Sequence, residues 1–308
     1  MNKCLCCGKP LLNNELDWHK SCIKKFFGTT ELPIIDTKQF SNIFSDIKSK
    51  ESVITGVQKK ISLHLDKNKN NPRLTIVNYP SGYILKPNSK DYPDMIENEY
   101  LTMHLANICN IETVPFGLIK LEDNTRAYIT KRIDRIGKKK LAMEDFCQLG
   151  EFLTEQKYNS SYEKIGNILN KYSDNIGLDS YKLFNIILFS FIVGNSDMHL
   201  KNFSLYEKDD RYILAPSYDL LNTLIIIPED KEELALTLNG KKNKLKIKDF
   251  IYLAQKYNLN KIQIERIFNN FQKKYSILIE AINESLLTKE SKTNYINLVN
   301  DRYHRLFN

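Results

Sequence analysis

Gly194-Asn195-Ser196-Asp197-Met198-His199-Leu200-Lys201-Asn202-Phe203-Ser204-Leu205 is the stretch on which the reading of this chain turns. It follows an apolar run from Leu183 to Val193, so a buried element delivers a cluster of polar side chains to one place. A second polar marker, Tyr218-Asp219 within Ala215-Pro216-Ser217-Tyr218-Asp219-Leu220, lies 22 residues after Asp197. An Asp, an Asn five positions on and a second isolated Asp meet the needs of phosphoryl transfer. The first Asp accepts the proton of an attacking hydroxyl; the Asn and the second Asp offer oxygens to Mg²⁺. An ordinary solvated loop is the alternative reading. Asp, His, Lys and Asn gathered into six residues beside an apolar run speak against it.

Protein kinases space a catalytic Asp and a metal-binding Asn as Asp-x-x-x-x-Asn ahead of a later Asp, and Asp197-x-x-x-x-Asn202 has that spacing. At these residues the chain resembles the HipA family of bacterial toxin kinases. Gly194-Asn195-Ser196-Asp197-Met198-His199-Leu200-Lys201-Asn202-Phe203-Ser204-Leu205 and the later Ala215-Pro216-Ser217-Tyr218-Asp219-Leu220-Leu221 match that family's catalytic loop and metal-binding segment. The resemblance extends over roughly residues 50 to 305. It implies ATP and Mg²⁺ as cofactors, Asp197 as the base, and Asn202 and Asp219 as metal ligands. Lys201 is placed to neutralise charge on the γ-phosphoryl group; His199 either takes part in the reaction or buttresses the loop.

The order of elements fits that comparison. Ile61-Ser62-Leu63-His64-Leu65 alternates apolar and polar at period two, and strands follow at Leu74–Val77 and Gly82–Lys86 with a turn at Pro80-Ser81-Gly82. Residues 94–109 read as an amphipathic helix with Ile96, Tyr100, Met103, Leu105 and Ile108 on its apolar side. Two more strands fit Gly117–Leu121 and Arg126–Arg132, and from about residue 141 helices dominate, including 253–282 and 293–306. The expectation is an α+β, two-lobed protein-kinase-like fold with ATP between the lobes. A head occupies residues 1–30, a small sheet-rich lobe 31–140 (its first part, 31–50, a linker and short helix), and a helical lobe 141–308.

The nucleotide site is less legible. Ser52-Val53-Ile54-Thr55-Gly56-Val57-Gln58-Lys59-Lys60 precedes the first clear strand and holds a single glycine. From these residues alone a plain loop is the better reading. The resemblance reverses it: family members carry a Gly-x-Gln-x-Lys loop over the phosphates, matched by Gly56, Gln58 and Lys60, with Thr55 and Val57 beside them. Lys86 ends the apolar strand Tyr83-Ile84-Leu85 and precedes Pro87. Such a Lys commonly marks a strand end in solvent, but the family match favours a phosphate contact. Glu99, with Glu97 as competitor, is its expected partner on the following helix. Many relatives place a regulatory serine just ahead of the loop glycine, where this chain has Val53 and Ile54. Thr55, and secondarily Ser52, are therefore the expected autophosphorylation sites.

Composition bounds the remaining readings. The chain has 308 residues, 42% hydrophobic and 27% charged, as an ordinary globular protein does. No run of 18 apolar residues and no apolar signal core is present, so a cytoplasmic protein without a membrane partner is expected. The net charge of +8 is too mild and dispersed to argue direct DNA binding. The densest basic run, residues 241–248, reads as a solvated face before it reads as a patch for an RNA-bearing or acidic substrate.

Four of the six cysteines fall in the first 22 residues. Cys4-x-x-Cys7 and His19-x-x-Cys22 supply four ligands in two knuckles, a set that holds Zn²⁺ tetrahedrally, with Cys6 the expected non-ligand and its exchange with Cys7 the alternative. A metal would also supply the staple a thirty-residue piece needs; reduced free cysteines are the alternative. Cys109 and Cys147 read as buried small hydrophobes.

The longer HipA proteins carry a subdomain ahead of the phosphate loop, where this chain has the Cys-rich head. In that respect it resembles the short HipT-type kinases. The resemblance then implies a HipS-like small protein and a HipB-like DNA-binding antitoxin as partners. It also implies a Ser/Thr protein kinase toxin whose substrate is an aminoacyl-tRNA synthetase, tRNA-associated or not. A nucleotide-binding pseudokinase or zinc-headed partner-binding module, or a lipid or small-molecule kinase on the same fold, is the alternative.

Overall fold

The structure, a computed structural model, describes residues 3–35, 60–67, 71–89, 91–137 and 139–307. The chain divides into two compact units, residues 1–96 with 114–139, and residues 97–113 with 140–308.

The first unit is built on a six-stranded sheet: β1 (Ile34–Ile35), β2 (Ile61–Asp66), β3 (Arg73–Ile76), β4 (Tyr83–Pro87), β5 (Phe116–Lys120) and β6 (Arg126–Lys131), in the order β1-β3-β2-β4-β6-β5. The expected strands are present within a residue or two. The period-two pattern of β2 decides its facing: Ile61 and Leu63 are buried, while Ser62 and His64 point away from the core. Leu63 pairs with Ile76 on one side and Tyr83 on the other, which fixes β2 between two antiparallel neighbours. β4 is likewise central, with Lys86 opposite Tyr128 of β6.

The Cys-rich segment shares this core. Helix α1 (Lys20–Phe27) ends at Gly28, whose φ of 73° is the left-handed turn glycine tolerates. It lays Ile23, Phe26 and Phe27 into one cluster with Trp18, Leu63, Leu74, Leu85, Ala127 and Ile129. The segment therefore obtains its apolar contacts from the sheet. Its order does not by itself require a metal.

Along the chain, β7 (Arg135–Ile136) and β8 (Lys139–Lys140) pair with each other. Just before them, Arg132 forks onto Asp134 through two 2.8 Å hydrogen bonds, and Arg135 also donates to Asp134.

The second unit is mainly helical: α2 (Met95–Ile108, from Glu97 onward), α3 (Phe146–Leu149), α4 (Tyr162–Tyr172), α5 (Ile176–Val193), α6 (Ile247–Lys256), α7 (Lys261–Asn283) and α8 (Lys289–Phe307). It also carries a three-stranded sheet that the sequence reading did not foresee. There β10 (Ser204–Lys208) lies between β9 (Met143–Asp145) and β11 (Arg211–Leu214). α2 departs from the expected one-sided pattern. Asn98, Glu99 and Thr102 are as buried as Ile96 and Met103, and Ile108 is only half-buried. The polar positions have partners: Asn98 exchanges two hydrogen bonds with the Asn222 backbone, at 2.8 and 2.9 Å, and Thr102 meets the Tyr295 hydroxyl at 2.9 Å. A helix touched by protein on several sides needs no polar face.

α5 is buried throughout Leu183–Val193. By length and mean hydropathy (1.5) it is the one described helix able to cross a membrane, yet 72% of that window is buried inside the protein. Within the basic run, Lys241 pairs with Asp249 and Lys242 with Glu232, both at 2.9 Å, while Lys244, Lys246 and Lys248 are exposed.

Candidate active site

α5 stops at Gly194, whose φ of 70° and close approach to Leu298 and Asn222 leave no room for a Cβ. The chain then turns into the polar loop. Thr223 holds the turn, its hydroxyl donating to the Gly194 carbonyl at 3.1 Å and accepting from the Ser196 amide at 2.8 Å. Ser196 Oγ donates to Asp230 at 2.6 Å. Further on, the Tyr162 hydroxyl donates to the Met198 carbonyl at 3.1 Å, and Tyr257 donates to the Tyr162 carbonyl at 2.6 Å. These partners lie far from the loop in sequence and fix its backbone.

Within that frame Asp197 keeps a side chain 33% exposed, against 7% for His199. Its amide is taken by Asn195 Oδ1 at 3.2 Å, and its Oδ1 accepts the Tyr158 hydroxyl at 2.5 Å. Asn202 Nδ2 donates to the Asp197 carbonyl at 2.7 Å. That bond fixes the amide orientation: the nitrogen is engaged, so Oδ1 is the atom left to accept a cation. Asp219 stands in the left-handed region (φ 54°), a conformation Asp tolerates better than most residues and one that concentrates at functional sites. The adjoining Tyr218 hydroxyl meets Ser204 Oγ at 2.6 Å and donates to the Lys201 carbonyl at 3.1 Å, which ties the Asp219 segment to the loop.

His199 Nε2 lies 3.9 Å from Asp197 Oδ1, and its ring stands edge-on to Tyr158. Burial lowers the imidazole pKa below its ordinary value, although the carboxylates of Asp197 and Asp219 pull the other way. A neutral ring at pH 7 follows. Its buried Nδ1 makes no hydrogen bond with the described residues. Burial first, and then the bond to Asp197, pushes the Tyr158 hydroxyl far above its usual range, so it stays protonated and donates.

Lys201 Nζ pairs with Asp145 Oδ2 at 2.9 Å. Asp145 also caps α3, accepting from the Gln148 amide at 2.9 Å while Gln148 returns a bond to the Asp145 amide at 3.0 Å. This reciprocal box contributes about 1 kcal/mol to a short helix. The polar residues around Glu144-Asp145 are thus structural, and one of them holds Lys201.

In the sheet unit, Lys86 is 3% exposed on the central strand β4, with Nζ 5.4 Å from the Tyr128 ring centroid. A strand end in solvent is excluded. Glu99 (1% exposed) and Glu97 (8%) are both buried in the helical unit. Lys60 is exposed immediately before β2. Ser52, Thr55, Gly56, Val57 and Gln58 lie outside the described residues.

At the head, Cys4, Cys7, His19 and Cys22 have ligand atoms all within 4.8 Å of one another, and Cys6 stands outside the group. Sequence reasoning gave no role to Tyr158 and Asp145, whose contacts with Asp197 and Lys201 span 39 and 56 residues, nor to Asn195, which lies inside the quoted stretch two positions from Asp197.

Residues 52–277 match the model of the HipA-like C-terminal domain. The chain belongs to that family. A Haemophilus influenzae protein named "Putative kinase" is 27% identical over 296 residues, covering 85% of this chain and 84% of that relative. Among solved structures, HipA of Shewanella oneidensis MR-1, from a toxin–antitoxin complex with HipB and operator DNA, aligns with a TM-score of 0.68 at 18% identity. The alignment covers 86% of this chain and 70% of HipA. The Helicobacter pylori proinflammatory kinase CtkA aligns with a TM-score of 0.51 at 14% identity, over 75% of this chain and 87% of CtkA. The α+β, two-lobed kinase-like fold expected from the sequence is the fold of this HipA-like chain.

Proposed function

We propose that this HipA-like chain is an ATP-dependent Ser/Thr protein kinase. The observation that carries the reading is the coupling of Asp197 and Asn202 in the loop after α5. One hydrogen bond orients the Asn oxygen as a cation ligand and leaves a half-open carboxylate beside it. Asp197 accepts the proton of the acceptor hydroxyl as its oxygen bonds to the γ-phosphorus of ATP and the bond to the β-phosphate oxygen breaks, releasing ADP. Asn202 and Asp219 would hold Mg²⁺, which supplies charge neutralisation on the phosphates. Lys86 holds nucleotide phosphate from the sheet unit, with Glu99 as its proposed partner and residues 55–60 as the phosphate loop. Lys201, engaged by Asp145, serves the loop's geometry as much as its charge. Neutral His199 packs behind Tyr158 and Asp197 and orients them.

By analogy with the HipA–HipB complex, the kinase acts as a toxin restrained by a HipB-like protein, with a HipS-like protein as a further partner. Its substrate in this reading is an aminoacyl-tRNA synthetase. Autophosphorylation at Thr55 or Ser52, beside the nucleotide, would oppose ATP binding through its added negative charge.

Transfer from labelled Mg²⁺-ATP, with lysate proteins, lipids and sugars offered as acceptors, tests the reading. Label should enter protein Ser or Thr. Asp197→Asn should lower transfer by about 10²–10⁴ while still binding nucleotide, and Asp219→Ala should lose Mg²⁺-dependent nucleotide affinity. Undiminished transfer by Asp197→Asn, or an ATP–Mg²⁺ titration of Asp219→Ala that overlays the wild type, would overturn these roles. Label confined to lipid or sugar would move the acceptor to another class.

A further inference from the structure

We propose that Cys4, Cys7, His19 and Cys22 form a structural zinc site that clamps the N-terminal segment onto the edge strand β5. The inference is independent of the kinase reading. It begins with spacing. Zinc binds thiolate sulfur at about 2.3 Å and imidazole nitrogen at about 2.0–2.1 Å, so tetrahedral ligands stand about 3.5–3.8 Å apart. Here His19 Nδ1 lies 3.3 Å from Cys7 Sγ and 3.8 Å from Cys22 Sγ, and all four ligand atoms fall within 4.8 Å. None of the cysteines is in a disulfide.

The histidine is preset for this role. Its Nε2 lies 2.9 Å from the Pro10 carbonyl, which can only accept, so the proton resides on Nε2 and Nδ1 turns its lone pair toward the sulfurs. A backbone carbonyl behind a ligating imidazole is the arrangement that fixes ring orientation and basicity at metal centres.

The backbone is shaped to match. The Gly8 amide donates to the Cys4 carbonyl and the Cys4 amide to the Lys9 carbonyl, both at 2.8 Å, and Gly8 takes a φ of 72°. This turn brings Cys4 and Cys7 to one side. The His19 amide points at Cys4 Sγ from 3.3 Å, a donor suited to a thiolate. Cys6, between two ligands, instead faces the Phe116 carbonyl at 3.9 Å. Three sulfurs and one nitrogen fill every position, so the site is closed to water and structural, and its soft donors select zinc.

What the site holds in place is also visible. β5 is the edge of the six-stranded sheet. Its Leu118 amide donates to the Leu5 carbonyl, inside the first knuckle, and its Leu118 carbonyl accepts from Trp18 Nε1, next to His19, both at 2.8 Å. An edge that would otherwise offer unpaired groups is thereby covered. A Cβ on Gly117 would come within 2.5 Å of the Trp18 ring, so only glycine lets the indole lie there.

Trp18 is the only tryptophan in the chain and is 1% exposed, which gives the site its own optical reporter. The full-length protein, expressed with zinc and purified under reducing conditions without chelator, should carry about one Zn²⁺ per chain. Cys6→Ser should keep that metal; Cys7→Ser and Cys22→Ser should lose it. Co²⁺ in place of zinc should show thiolate-to-cobalt charge-transfer bands and intense tetrahedral d–d bands. Removing zinc from the wild type with a thiol-binding mercurial, followed by a chromophoric indicator, should red-shift Trp18 emission in step with release. If Cys7→Ser or Cys22→Ser fails to fold, wild-type and Cys6→Ser metal contents with the cobalt spectrum decide the matter. A wild type that holds no zinc after reconstitution, or equal loss in Cys6→Ser and Cys7→Ser, overturns the site. Metal release that leaves Trp18 emission unmoved overturns the clamp.

Discussion

Tyr158 reaches Asp197 from 39 residues upstream and donates to the carboxylate oxygen at 2.5 Å. A hydrogen bond to a charged group contributes about 1.5–3 kcal/mol. If that bond holds the carboxylate in its reactive rotamer, Tyr158→Phe should lower kcat for phosphate transfer by about 10–100-fold and leave the KM for ATP nearly unchanged. A rise in KM at constant kcat would place Tyr158 in nucleotide binding instead. The same residues show what a sequence can reveal of a site. Asp197 and Asn202 could be put forward as a pair because their relation is local: five positions, one hydrogen bond from the Asn side chain to the Asp carbonyl, one loop. Tyr158 and Asp145 could not. Tyr and Asp at those positions look like any polar residues until the fold brings them to Asp197 and Lys201. Burial of Lys86 was equally hidden, since an apolar strand ending in Lys reads the same whether that end is in solvent or in the core.

At the scale of elements, α5 determines where the loop begins, and Gly194 determines where α5 ends. A Cβ there would stand 2.9 Å from both Leu298 methyl carbons and 3.0 Å from Asn222 Oδ1, on a backbone with φ 70°. Gly194→Ala should therefore destabilise the protein by about 2–4 kcal/mol, from left-handed strain and overpacking together. Gly177, in the first turn of the same helix, would meet nothing within 4 Å. Gly177→Ala should stabilise by about 0.5–1 kcal/mol. Urea midpoints for the two variants should move in opposite directions; a common direction would contradict the assignment. Strands with period-two or apolar runs, and the long helices, were readable because their patterns are local. β9 escaped because it is three residues long and pairs with β10 across some 60 residues of chain, and β10 and β11, although joined as a tight hairpin, bury their residues in no alternating pattern. α2 misled because a helix enclosed on several sides carries buried Asn98 and Thr102 whose partners, Asn222 and Tyr295, come from far along the chain.

At the scale of the whole molecule, the helical unit closes on one carboxylate. Glu233, 9% exposed, faces Arg302 at 2.6 Å and Arg305 at 2.7 and 2.9 Å, and accepts the Leu245 amide at 2.9 Å. Both guanidinium groups lie over the Phe191 ring, at 4.7 and 5.2 Å, one turn before α5 delivers the candidate active-site loop. α8, the segment 233–245 and α5 thus meet at a single charge centre. Burial alone would raise the Glu233 pKa. The hydrogen bonds from Arg305, the Leu245 amide and Arg302 outweigh it and hold the carboxyl down at about 2, against an ordinary 4.5. A depressed carboxylate stabilises the fold fully above its unfolded pKa and loses that contribution as pH falls through its folded pKa. At about 1.4 kcal/mol per unit, the contribution at neutral pH is on the order of 3 kcal/mol. Glu233→Gln should accordingly cost about 3–5 kcal/mol at pH 7, because buried Arg302 and half-buried Arg305 lose their counter-charge. The gap in unfolding free energy between wild type and variant should then narrow between pH 4.5 and pH 2. Urea unfolding of both proteins across that range measures it directly. A gap that stays constant with pH would show that Glu233 acts through shape and hydrogen bonding, with its charge contributing nothing to closure of the helical unit.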